Sequence, residues 1–121
     1  MDRTDMLDIM RQCFDQSIGL DDIDELMLSH DVYVLREQEH IVTIAMVEPG
    51  PIPLLWNVAT HPRFQKQGLA SALIAQVMTK YPKLGLFVDN PELLPFYERL
   101  GFCQRPPIAR QPPNSIYLTT R

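Results

Sequence analysis

Thr60-His61-Pro62-Arg63-Phe64-Gln65-Lys66-Gln67-Gly68-Leu69-Ala70-Ser71 decides how this chain folds. Before it, residues 52–60 read as a strand. After it, Leu69, Leu73 and Val77 form one row at helical spacing, and Ala70, Ile74 and Met78 the next. The stretch therefore joins a strand to the start of a helix. The first N–H groups of a helix lack intrahelical partners and sit at its positive end, which suits an anion such as a diphosphate. Gly68 and Ala70 permit close backbone approach, and Lys66 and Arg63 add charge. Taken alone, one glycine and two basic residues fit an ordinary connection equally well. The other phosphate fingerprints require further glycines at fixed offsets.

Towards the C-terminus, Tyr81-Pro82 stops the helix, because the residue before proline avoids the helical region. Residues 84–88 form a short apolar strand. Strand, helix and strand in this order make a right-handed crossover with two parallel strands. A short helix over 91–100 ends at Gly101. Residues 102–104 and 116–119 are the final strands. Between them, residues 105–114 hold four prolines and must be a loop.

Towards the N-terminus, residues 41–47 are a near-continuous apolar run, as in a strand buried on both faces. Residues 32–35 form a strand before it. Pro53 marks an edge or bulge near the start of the strand at 52–60. Met6, Ile9, Met10, Cys13 and Phe14 recur at helical spacing behind Thr4, a suitable N-cap. Gly19 ends that helix. Asp21 caps a second one, with Ile23, Leu26 and Met27 on one face. The order gives a single domain over residues 1–121. It is α/β, with a mixed, mostly antiparallel sheet, a central parallel strand pair and four flanking helices.

The 121 residues are 45% hydrophobic and 21% charged, an ordinary globular balance. Eleven basic against fifteen acidic residues give a net charge of −4, which argues against a nucleic-acid partner. A helix-turn-helix reader is disfavoured further by Asp22, Asp24 and Glu25 on the second helix. No apolar run is long enough to span a bilayer and no signal core opens the chain, so a cytoplasmic protein without a membrane partner is expected. Cys13 and Cys103 sit among apolar neighbours and read as core thiols in a reducing compartment. No metal site is assigned.

Two motifs carry a resemblance. Gln65-x-x-Gly68-x-Ala70, after a strand and Pro62, resembles the acetyl-CoA pyrophosphate motif of the GNAT superfamily of acyl-CoA-dependent N-acyltransferases. Asn90, with Tyr97 seven residues on and then Glu98-Arg99-Leu100-Gly101-Phe102, is similar to that family's closing motif. The resemblance covers residues 32–102 well and the ends weakly.

The resemblance implies a strand that splays from its parallel neighbour to admit the pantetheine arm. Val58 and Thr60 would then offer main-chain groups to that arm. Gln65, Lys66, Gln67, Gly68, Leu69, Ala70 and Ser71 would hold the pyrophosphate, and Asn90 would bond the arm near its thiol. A backbone N–H near Asn57 or Val58 would meet the oxyanion. Tyr97 would protonate the leaving thiolate. As an alternative, Tyr97 belongs to an apolar set with Leu93, Leu94, Phe96 and Leu100.

The general base is open. Many relatives carry an acid where Asn57 stands. Glu48, Asp89, His40 and His61 remain, each also a natural solvated turn or loop residue, and Glu48 is the one named. The family usually opens with a strand, whereas this chain starts at a helix. Relatives often have Gly where Thr43 sits, and Lys66 replaces a common loop glycine.

The expectation is an acetyl-CoA-dependent N-acetyltransferase acting by direct attack of a primary amine, on a small molecule or a protein amino group. Trp56, Met46, Tyr33 and the loop at 105–114 are expected to shape the acceptor pocket, although the aromatics suit a core equally well. Two other readings compete: an acetyl-CoA-binding regulatory protein with little turnover, and an interaction module without a coenzyme site. A homodimer covering a sheet edge is expected by analogy.

Overall fold

A computed structural model describes residues 2–121. Helices α1 (Asp2–Cys13) and α2 (Leu20–Ser29) precede three strands, β1 (Asp31–Glu37), β2 (His40–Glu48) and β3 (Leu54–Thr60). Then come a 3₁₀ turn at Pro62–Phe64, α3 (Leu69–Met78), β4 (Gly85–Val88), a 3₁₀ turn at Pro91–Leu93, α4 (Leu94–Arg99), β5 (Phe102–Arg105) and β6 (Ile116–Thr120). No strand precedes α1 among the described residues. No helix in them is long and apolar enough to cross a membrane.

The strands form one sheet in the order β1-β2-β3-β4-β6-β5. All neighbours are antiparallel except β3 and β4, the expected parallel pair. That pair meets at Leu54 and Gly85 and then diverges. Residues 41–47 are buried throughout, as their apolar run requires. On one face, Ala45, Val47, Leu55, Leu86 and Leu118 pack against Leu73, Ile74 and Val77 of α3. On the other, Ile44, Met46 and Ala59 pack against Met6, Ile9 and Met10 of α1 and Ile23 of α2.

Several local expectations are corrected. Thr4 lies inside α1 rather than capping it. Gly19, not Asp21, is the N-cap of α2, and its N–H donates to the Asp22 carboxylate across 2.8 Å. Helix α3 ends at Met78, before Tyr81-Pro82, where the Thr79 hydroxyl donates to the Gln76 carbonyl at 2.6 Å. Cys13 and Cys103 are only half-buried. Phe14 lies past the end of α1 and is 50% exposed, so it is not core.

Candidate active site

The bulge on β3 is built from its register. Ile44 pairs with Ala59 and Met46 with Trp56, so Ala45 alone faces both Asn57 and Val58. Asn57 takes a φ of +54°, a region that asparagine tolerates better than most residues. The extra residue leaves the ladder, which frees main-chain groups beside the gap between β3 and β4.

At the far end of β3, the loop leading into α3 turns through Lys66 and Gly68, at φ +65° and +77°. Gly68 is the N-cap of α3, and no side chain caps that end. The first intrahelical bond runs from the Ala72 N–H to the Gly68 carbonyl, 3.0 Å, so the N–H groups of Leu69, Ala70 and Ser71 lie before it. A Cβ on Gly68 would meet nothing within 4 Å, so the helix end faces open space. The Gln65 side chain donates to the Thr60 carbonyl at 3.0 Å, folding the loop onto the strand.

A cavity of about 420 Å³ runs along this loop. Val58 and Thr60 of β3, Gln65 and Lys66 of the loop, and Gly68, Leu69, Ala70 and Ser71 at the helix end all line it, with Cys13, Phe14 and Phe96 opposite. Gln67 does not line it. The Thr60 carbonyl is already engaged, accepting from Gln65 and from the Cys13 thiol at 3.3 Å. Thr43, where relatives often have Gly, is buried with its hydroxyl 3.1 Å from that of Thr60.

A second cavity, about 190 Å³, occupies the gap between β3 and β4. Trp56, Asn57 and Val58 line one wall, Phe87 and Val88 the other, and Tyr97 closes it. Val58 and Phe14 line both cavities, so the two are neighbours that share a wall. Burial alone pushes the Tyr97 phenol above its ordinary pKa, so the hydroxyl keeps its proton at neutral pH. Asn90 caps the Pro91–Leu93 turn, its side-chain oxygen accepting from the Glu92 N–H at 3.0 Å. Its NH₂ group remains for a ligand.

The structure separates the base candidates. Asp89 lines the second cavity. Glu48, at the end of β2, accepts from the Trp56 indole N–H at 2.8 Å and pairs with Arg110 at 3.3 Å. His40 and His61 line a different groove of about 810 Å³ with Asp5, Asp8, Glu37 and Arg63. That groove is larger than the two cavities above, but its three carboxylates make it a poor host for a diphosphate. Two residues expected at the acceptor pocket are elsewhere: Met46 is buried under α1, and Tyr33 faces α3 with its hydroxyl 2.7 Å from that of Tyr81. Successive strand residues point to opposite faces, and which face a helix covers is not written in the strand itself.

The expected edge or bulge near Pro53 is corrected: Pro53 precedes β3, β3 is a central strand, and its bulge lies at Asn57 and Val58. An asparagine after a tryptophan carries no strong bulge signal. Phe14 continues the helical period of α1 and so read as core.

Comparison with known proteins bears on this geometry. Residues 29–104 match the model of the acetyltransferase (GNAT) domain. An uncharacterized N-acetyltransferase, ycf52, from Gracilaria tenuistipitata var. liui is 40% identical over 57 residues, 43% of this chain. The match spans only 31% of that relative. A GNAT family acetyltransferase from Elizabethkingia anophelis, solved with acetyl-CoA bound, superposes with a TM-score of 0.72 at 20% identity, covering 93% of this chain and 88% of the other. An aminoglycoside 6'-N-acetyltransferase complexed with coenzyme A gives 0.82 at 13% identity, covering 98% and 89%. A splayed parallel pair, an uncapped start of α3 and a family match over more than half of its residues agree, and the chain belongs to the GNAT acetyltransferase family.

Proposed function

We propose that this protein transfers an acetyl group from acetyl-CoA to a primary amine by direct attack. The observation that carries this reading is that the uncapped start of α3 and the gap at the β3 bulge open onto adjacent cavities that share Val58 and Phe14. An extended molecule with a diphosphate at one end and a thioester at the other suits that path. Coenzyme A and acetyl-CoA are bound in the two structural relatives named above.

In this reading Gln65 to Ser71 hold the pyrophosphate, chiefly through the N–H groups of Leu69, Ala70 and Ser71. Lys66 adds charge, and Gln67 stays at the rim. Val58, and Thr60 through its N–H, pair with the pantetheine arm, and the Asn90 NH₂ group bonds it near the sulfur. The amine nitrogen attacks the thioester carbon, and the oxyanion meets an N–H freed by the bulge at Asn57 or Val58. The C–S bond then breaks and the sulfur takes the Tyr97 hydroxyl proton. Glu48 takes the proton lost by the amine, and solvent restores both groups. Cys13, the thiol in the cofactor cavity, has its pKa raised by burial and by Asp8. A thiol held protonated is a weak nucleophile, which supports direct attack over an acetyl-enzyme.

Calorimetry with acetyl-CoA followed by CoA release with an amine panel tests the proposal. Binding with release supports it. The regulatory alternative rests on one observation: both Glu48 oxygens are engaged, and Asn57 cannot take a proton. Binding without release from any amine would favour that alternative.

A further inference from the structure

Three aromatic rings stand side by side on β3, β4 and β6: Trp56, Phe87 and Tyr117. Ring centroids are 5.6 Å apart for the first pair and 5.3 Å for the second. None of the three belongs to either buried apolar cluster. They wall a cavity of about 250 Å³ whose other side is formed by Ile52, Ile108 and Arg110 from two loops. A Cβ on Gly85 would stand 3.2 Å from the Tyr117 ring, so the glycine lets that ring sit close to β4.

Two features give this slot a chemical preference. Trp56 and Phe87 also line the cavity in the β3–β4 gap, so the slot lies directly beside the proposed reaction centre. At its edge, the Trp56 indole fixes one Glu48 oxygen, while the other meets only the mostly exposed Arg110 guanidinium. Aromatic faces beside a carboxylate attract an ammonium group, and Arg110 marks where a cation can sit. The walls themselves offer apolar surface and few hydrogen-bond partners.

We propose that the acceptor is a compact amine with an apolar body, a single ring or short chain, seated against Trp56, Phe87 and Tyr117. This inference rests on the transferase reading above. The slot is smaller than the roughly 300–1,000 Å³ that drug-sized ligands occupy. A polyhydroxylated multi-ring amine would also bury hydroxyls against rings without partners, which is costly.

The test measures CoA release at saturating acetyl-CoA with 2-phenylethylamine, butylamine, kanamycin and an alanine-ended hexapeptide. The expected kcat/KM for 2-phenylethylamine exceeds that for kanamycin and the peptide by about tenfold or more. Ile108→Trp, on an exposed loop and safe for folding, should fill the slot. It should raise the KM for 2-phenylethylamine about tenfold and leave acetyl-CoA affinity unchanged. Phe87→Leu should raise it more for the ring amine than for butylamine. Kanamycin or the peptide as the better acceptor, or an Ile108→Trp enzyme with unaltered KM, would overturn this inference and leave the transferase reading intact. Failure to bind acetyl-CoA, or binding without release from any acceptor, would overturn both.

Discussion

The side-chain amide of Gln65 and the main-chain carbonyl of Thr60 meet across 3.0 Å, tying the loop before α3 to the strand that feeds it. The bond orders a loop that otherwise turns through two residues of positive φ. Gln65→Ala removes it and leaves the partner carbonyl to Cys13. A net hydrogen bond is worth about 1 kcal/mol. Calorimetry should show acetyl-CoA affinity weakened about fivefold, with the apo melting temperature little changed because Gln65 is exposed.

Gly68 has open space around its missing side chain but a φ of +77°. Gly68→Ala therefore costs strain rather than a clash, about 1–2 kcal/mol. The new methyl group also stands where the ligand's phosphates approach. Thermal denaturation should show the loss of stability, and acetyl-CoA should recover less of it than in the parent. Gly68→Asn, which tolerates the left-handed region, should restore stability better than affinity.

Much of this arrangement is legible along the chain because its signals are local. The run at 41–47 is apolar almost without a break, and the helical rows from Leu69 to Met78 keep one clear period. The slot of Trp56, Phe87 and Tyr117 has no such signal. Its members lie on three strands far apart in sequence, and each alone reads as core. The bulge at Asn57 is equally hidden, since it depends on how β2 and β3 align. Phe14 misleads for a different reason. Its N–H and that of Asp15 both bond the Met10 carbonyl, so the helix closes there while the apolar period runs on.

Burial raises the Tyr97 phenol above the ordinary tyrosine pKa of about 10. If Tyr97 donates to the leaving thiolate, kcat should hold its plateau to about pH 10. It should fall only as the phenol ionises beyond that point. Folding follows the same sign: the raised phenol favours the folded state fully below about pH 10, and that margin is lost as pH rises through the folded value. Tyr97→Phe should lower kcat by roughly 10²-fold, the lower range for general acid catalysis, and leave acetyl-CoA affinity unchanged. An unaltered kcat would return Tyr97 to the apolar set around Phe96 and Phe102.

Cys13 lines the cavity along the loop after β3, and its thiol donates to the Thr60 carbonyl at 3.3 Å. Burial, then Asp8, raises its pKa, so little thiolate exists at neutral pH. Iodoacetamide should alkylate Cys13 more slowly than a free model thiol, and acetyl-CoA should slow it further by covering the cavity wall. Cys13→Ala keeps the volume small and loses one weak hydrogen bond, so kcat should stay within about twofold. Mass spectrometry of the enzyme mixed with acetyl-CoA alone should show no added acetyl group on Cys13. A stable adduct there, together with an inactive Cys13→Ala enzyme, would replace direct attack by a two-step transfer through sulfur.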